Sequence, residues 1–139
     1  MAFSLHPRLE ADTVVIGELP LSLILLSKDA NYPWCILVPK RNEAREIYEL
    51  EEEDQVQLLW ESSLVGQTMM TLFDGDKLNV ATLGNMVPQL HFHHVVRYEN
   101  DLAWPGPIWG AKPAKVYDEA VLAKRVAQLK DALAHALIE

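Results

Sequence analysis

The sequence predicts an α+β fold: an antiparallel sheet of about five strands with one long helix on one face and a C-terminal helix packed nearby. Three observations predict it. Short β-branched or apolar runs recur at residues 12–18, 21–27, 34–38, 78–82 and 89–96, each bounded by turn-forming residues. Apolar residues then return at three- and four-residue steps from Ile47 to Phe73, the spacing of a helix with one apolar side. The same spacing reappears after Asp118. At 139 residues the chain is expected to form a single domain over 1–139, large enough to bury roughly two-thirds of its unfolded surface.

Residues 1–12 carry few apolar side chains, and His6 among them reads as a surface residue. The run Asp12–Glu18 is the first expected strand, and Pro20 interrupts it from the second, Leu21–Ser27. Lys28–Asn31 forms a turn before Trp34–Val38, so these two strands read as a hairpin. The charged stretch 41–46 leaves the sheet, and one long helix is expected over about 51–73. Glu51–Asp54 put carboxylates at the positive end of its dipole, which makes them solvated helix-start residues and not catalytic acids. Met69 and Met70 are core packing, and Asp74-Gly75-Asp76 ends the helix as a turn. Trp104-Pro105-Gly106-Pro107-Ile108-Trp109-Gly110 forms a rigid loop, either anchored by its indoles or walling a ligand pocket. Asp118 is the expected N-cap of the last helix, whose Leu129, Leu133 and Leu137 provide packing and no chemistry.

Composition narrows the function. A formal charge of −8 argues against binding a nucleic acid polymer, which requires a basic face. A small phosphate ligand needs only local compensation, for which Lys40, Arg41 and Arg97 are candidates. The lone Cys35 cannot form an internal disulfide and fits a reducing compartment, so a cytoplasmic protein is expected. The apolar run Leu19–Leu26 is far short of the roughly 20 residues of a membrane helix, and no signal pattern precedes it, so no membrane association is expected.

The chemistry concentrates in Gln89-Leu90-His91-Phe92-His93-His94-Val95-Val96. On a strand, Gln89, His91 and His93 share one face, with Leu90, Phe92 and His94 on the other. Alternate side chains on one face stand roughly 6.5–7 Å apart, close enough for one phosphoryl group to meet both rings and the Gln89 amide. The preceding turn, Gly84–Pro88, offers backbone N–H groups to the same ligand. Metal binding by His91, His93 and His94 is the competing interpretation. Adjacent His93 and His94 point to opposite faces, and the lack of nearby Cys or carboxylate weakens it further, so no metal and no cofactor is expected.

This run resembles the signature of the histidine-triad (HIT) superfamily of nucleotide hydrolases and transferases, in which three histidines alternate with apolar residues. The resemblance extends over about residues 20–110, through Tyr32–Arg41 with its Leu-Val-Pro strand end, and through Lys77–Asn79 and Trp104–Gly110, which look like a bacterial subgroup. It implies a HIT-like fold, a homodimer, and a small-molecule nucleotide or nucleoside phosphate conjugate as partner. His91 matches the nucleophile and His93 the third histidine. Gln89 stands where the family has its first histidine, and His94 fills a slot that is usually apolar, where a satisfied core or interface histidine is expected. Asn79, Gly84 and Asn85 match positions of ribose and phosphate contact, and Ser27, Lys28 or Asp29 a further ribose contact. The implied reaction is displacement at the α-phosphate through a phosphohistidine. Gln89 cannot carry a proton to the leaving group at neutral pH, so acidic leaving groups are favoured. A catalytically weakened nucleotide-binding module on the same fold is the alternative.

Overall fold

The structure, a computed structural model, describes residues 2–138. A short helix α1 (Pro7–Asp12) precedes strands β1 (Thr13–Glu18), β2 (Ser22–Ser27) and β3 (Trp34–Pro39). A 3-10 turn at Ile47–Glu49 leads into the long helix α2 (Glu52–Phe73), followed by β4 (Lys77–Ala81), β5 (Phe92–Arg97) and α3 (Glu119–Leu133). The five strands form one antiparallel sheet in the order β1-β2-β3-β5-β4. The expected α+β class, the β2–β3 hairpin and both main helices are present.

Helix α1 is the element that sequence periodicity does not indicate. Pro7 supplies a helical φ at the first position, and His6 caps it, its Nδ1 accepting from the Arg8 N–H at 3.1 Å. Only Leu9 of this helix is buried, so no apolar repeat announces it. His6 is half-buried and structural, not a free surface residue.

The sheet separates two apolar layers. On one face, Ile24, Leu26, Cys35, Leu37 and Val96 meet Leu58, Val65 and Met69 of α2 and Leu129 and Leu133 of α3. Each fully buried leucine of this layer is worth roughly 1.5–3 kcal/mol. Gly66 lets α2 lie this close, because a Cβ there would stand 2.6 Å from Leu78 Cδ2. Burial raises the Cys35 thiol to about 12, so it behaves as a small apolar group. On the opposite face, Leu9, Leu25, Ile36, Val38 and Val87 form a second, smaller layer.

Caps and turns fall where residue chemistry asks for them. Asp74 ends α2 in the left-handed conformation (φ 49°, ψ 54°), and the Asp118 carboxylate caps α3 through the Ala120 and Val121 N–H groups. Arg97, 1% exposed, is held by a bidentate pair with Asp101 and by the Asn79 side-chain oxygen and the Gly106 carbonyl. It also lies under the Trp104 and Tyr32 rings, and so ties the 104–110 loop to the end of β5. Among the described residues no helix is long and apolar enough to cross a membrane.

Candidate functional site

On the sheet face away from α2, a cleft of about 870 Å³ opens between α1, the 83–87 turn, the 108–117 segment and the ends of β3 and β5. His91 and His93 stand in it, each 6% exposed, with ring centroids 4.9 Å apart. The sequence expectation that these two rings share a face holds. His91 Nδ1 meets the Gln89 carbonyl oxygen at 2.7 Å, and a carbonyl can only accept, so Nδ1 carries the proton. His93 Nδ1 accepts from the Trp34 indole N–H at 3.0 Å. Burial first, and then the neighbouring His91 and His94 rings, push the His93 imidazolium down to about 3.

His91 is not a strand residue, because β5 begins at Phe92 and not at Gln89. The physical reason lies in its neighbour: β3 stops at Pro39, which has no N–H with which to extend the ladder. The main chain of Leu90 turns instead to the 40–46 loop, its N–H donating to the Ala44 carbonyl at 2.8 Å. His94 is fully buried on the helix face, as the alternation requires. Its Nδ1–H donates to the Phe92 carbonyl, and its Nε2 accepts from the Ser62 hydroxyl of α2 at 2.7 Å. Burial, only partly offset by the bond to Phe92, lowers this ring to about 4.

Two expected site residues lie outside the cleft. The Gln89 side chain is turned to the N-terminal arm, its Nε2 donating to the Ser4 carbonyl and its Oε1 accepting from the His6 N–H. It lines a separate depression with His6, Glu43 and Arg45. Only its carbonyl serves His91, so the expected meeting of its amide with both rings does not occur. Asn79 is likewise engaged, accepting from Arg97 Nη1 at 2.7 Å. Gly84 and Asn85 do line the cleft, Gly84 at φ 71°, where its lack of a side chain is required. Ser27, Lys28 and Asp29 line it as well.

The cations are also not those expected. Lys40 pairs with Glu18, Arg41 with Asp54 and Arg97 with Asp101, and none of the three lines the cleft. Arg8, Lys28, Lys112 and Lys115 do, against the carboxylates of Asp12 and Asp29. Arg8 comes from α1, Lys28 from the turn after β2, and Lys112 and Lys115 from the segment after the tryptophan loop. Nothing local in the sequence brings those stretches together; the Asp29–Val116 bridge and the Ala30 N–H to Lys115 carbonyl bond do.

The tryptophan loop divides its two indoles between the roles anticipated for it. Trp104 packs over Arg97, whereas Trp109 stands in the cleft with its ring 5.1 Å from His93 and 6.2 Å from Trp34. Trp34, which sequence analysis placed only in a strand, is thus a cleft residue. It alternates with Ile36, which lies directly opposite His93 in register. Among the described residues no group of three or more His, Cys, Asp or Glu side chains is arranged to hold a metal ion, and His94 faces away from the other two rings.

Comparison with known proteins bears on the family and the fold. The family model described as the HIT domain matches residues 8–100. A histidine triad protein from Marinobacter aquaeolei VT8 is 53% identical and superimposes with a TM-score of 0.94, covering 98% of this chain and 99% of that one. Another, from Bradyrhizobium japonicum, is 46% identical at a TM-score of 0.93, covering 95% and 98%. A third, from Sinorhizobium meliloti 1021, is 39% identical at 0.91, covering 94% and 97%. No curated protein matches the chain.

Proposed function

This chain belongs to the HIT domain family, and we propose that within it the protein is a nucleoside-phosphate hydrolase or nucleotidyl transferase that attacks an α-phosphorus with His91. Family membership supports nucleotide-binding or hydrolase-type function in general. One observation carries the finer reading: the Gln89 carbonyl accepts a hydrogen bond from the Nδ1–H of His91, which leaves Nε2 with a free lone pair in the cleft beside His93.

The reaction is a double displacement. The Nε2 lone pair forms an N–P bond as the bond from phosphorus to the leaving group breaks, and the leaving group departs with the electron pair. Water then attacks the phosphohistidine, forming a P–O bond and releasing a proton to solvent as the N–P bond breaks, and the nucleoside monophosphate leaves while Nε2 recovers its lone pair. His93 donates to a nonbridging oxygen as charge builds there. Gly84 and Asn85 supply the turn that holds the phosphate, and Arg8, Lys28, Lys112 and Lys115 offset its charge. With the Gln89 amide occupied by the arm, no side chain at that position protonates the leaving group. Leaving groups of low pKa are therefore turned over fastest.

The same occupied amide favours a second reading, a nucleotide-binding module with weakened catalysis. Turnover of a panel of nucleoside phosphoramidates, phenolate esters and dinucleoside polyphosphates, with and without chelator, separates the two. Monophosphate release together with an acid-labile adduct on His91 supports the enzyme. Micromolar binding without release supports the module, and a metal requirement overturns the proposed scheme.

We propose that the protein works as a cytoplasmic homodimer. Val56, Leu59 and Trp60 of α2 are exposed, Trp60 at 72%, next to a sheet whose edge strand β4 is free among the described elements. The unpaired, buried Cys35 supports a reducing compartment. Light scattering of the purified protein tests the dimer, and a monomer at micromolar concentration refutes it.

A further inference from the structure

His91 and His93 each have one ring nitrogen tied to a fixed partner, and the two partners are of opposite kind. The Gln89 carbonyl can only accept, so the proton of His91 sits on Nδ1 and Nε2 is bare. An indole N–H can only donate. The His93 Nδ1 that Trp34 reaches at 3.0 Å therefore carries the lone pair, and the neutral ring has its proton on Nε2. We propose that Trp34 is a positioning residue that holds His93 as its neutral Nε2–H tautomer, a fixed hydrogen-bond donor beside the bare Nε2 of His91.

The inference rests on the reading of His91 as nucleophile and extends it to the partner ring. Two neighbouring imidazoles left to themselves sample both tautomers, and in half of the combinations a lone pair of His93 would face the phosphate oxygen. The indole removes those combinations. The groups that bear on the charge of His93 are His91 and His94 from its own segment, while Trp34 and Ile36 from β3 and Trp109 from the loop present no charge. The ring therefore stays neutral at physiological pH, which makes its tautomer the variable that matters. Trp34 is itself fixed, edge-on to Trp109 and packed against the cluster of Tyr32, Val95 and Ile108. It cannot swing away without opening that cluster.

Nitrogen-15 NMR of histidine-labelled protein between pH 5 and 8 reads the tautomer without reference to turnover. In the wild type, His93 Nδ1 should show the shift of an unprotonated nitrogen and Nε2 that of a protonated one, with no titration. In Trp34→Phe the two tautomers should mix and His93 should begin to titrate, with kcat falling roughly tenfold and KM changing by less than about threefold. Because Trp34→Phe also alters packing, the second variant replaces Trp34 site-specifically with benzothienylalanine, which keeps the shape and lacks the N–H. The same tautomer mixing there supports the proposal. A wild-type His93 protonated on Nδ1, or an unchanged tautomer in the benzothienyl variant, overturns it. A locked tautomer in a wild type that turns over no nucleotide supports the role of Trp34 and overturns the hydrolase reading instead.

Discussion

His93 and His94 are adjacent and both nearly buried, yet the two faces of the sheet give them different work. His94 on the helix face has both ring nitrogens satisfied inside the protein, by Phe92 and by Ser62, and nothing is left over for a ligand. His93 on the cleft face has one nitrogen satisfied by Trp34, and its other nitrogen is free to meet a ligand. His91 repeats the cleft pattern with the Gln89 carbonyl as its single partner. Residue type and burial do not distinguish these rings. The number of hydrogen bonds that the fold leaves unmade on each does.

The largest effect should come from the cleft face. His91→Asn should lose about 10⁴-fold or more in kcat, while nucleotide affinity measured by calorimetry stays within about tenfold, because the phosphate cradle remains. Retained turnover would break the contrast at its strongest point. On the helix face, His94→Ala should leave chemistry within about threefold but cost on the order of 3 kcal/mol in urea denaturation, since it opens a cavity and takes away the ring nitrogen that Ser62 meets. A loss of kcat without a loss of stability would reverse the roles assigned to the two faces.

Acid should act on both faces at once. His93 and His94 titrate at about 3 and about 4 in the folded protein and near 6.5 once unfolded, so the unfolded chain binds more protons between those values. Stability from these rings is fully present above pH 6.5 and is lost as pH falls towards the folded values, on the order of 1 kcal/mol per pH unit for each ring. Denaturation midpoints at pH 7.5, 6 and 5 check the sign, and His94→Ala should remove about half of the slope. The smallest effect concerns Gln89. Gln89→Ala keeps the carbonyl that orients His91 but releases the arm, so KM should rise about threefold through the α1 wall with kcat little changed. A fall in kcat alone would mean that the amide acts on the reacting atoms after all.

Much of this was legible in the chain by itself. Alternation and helical spacing are local properties, so the strands, the long helix, the Asp118 cap and the opposite placement of His93 and His94 followed from the order of residues. The family resemblance rested on a motif confined to a few consecutive residues. Other features had no local signal. Helix α1 buries a single residue, so it has no periodicity to detect. The side chains of Gln89 and Asn79 are claimed by the arm and by Arg97, partners 85 and 18 residues away along the chain. The cleft cations come from α1, from the turn after β2 and from residues 112–115, the last two joined by the Asp29–Val116 bridge and the Ala30 N–H to Lys115 carbonyl bond. Trp34 becomes the partner of His93 only when β3 and β5 align in register, 59 residues apart along the chain. Sequence determined which groups could do chemistry, because that is a property of the residue and its near neighbours. Tertiary structure decided which of them are free to do it, because a hydrogen-bond partner is chosen by distance in space.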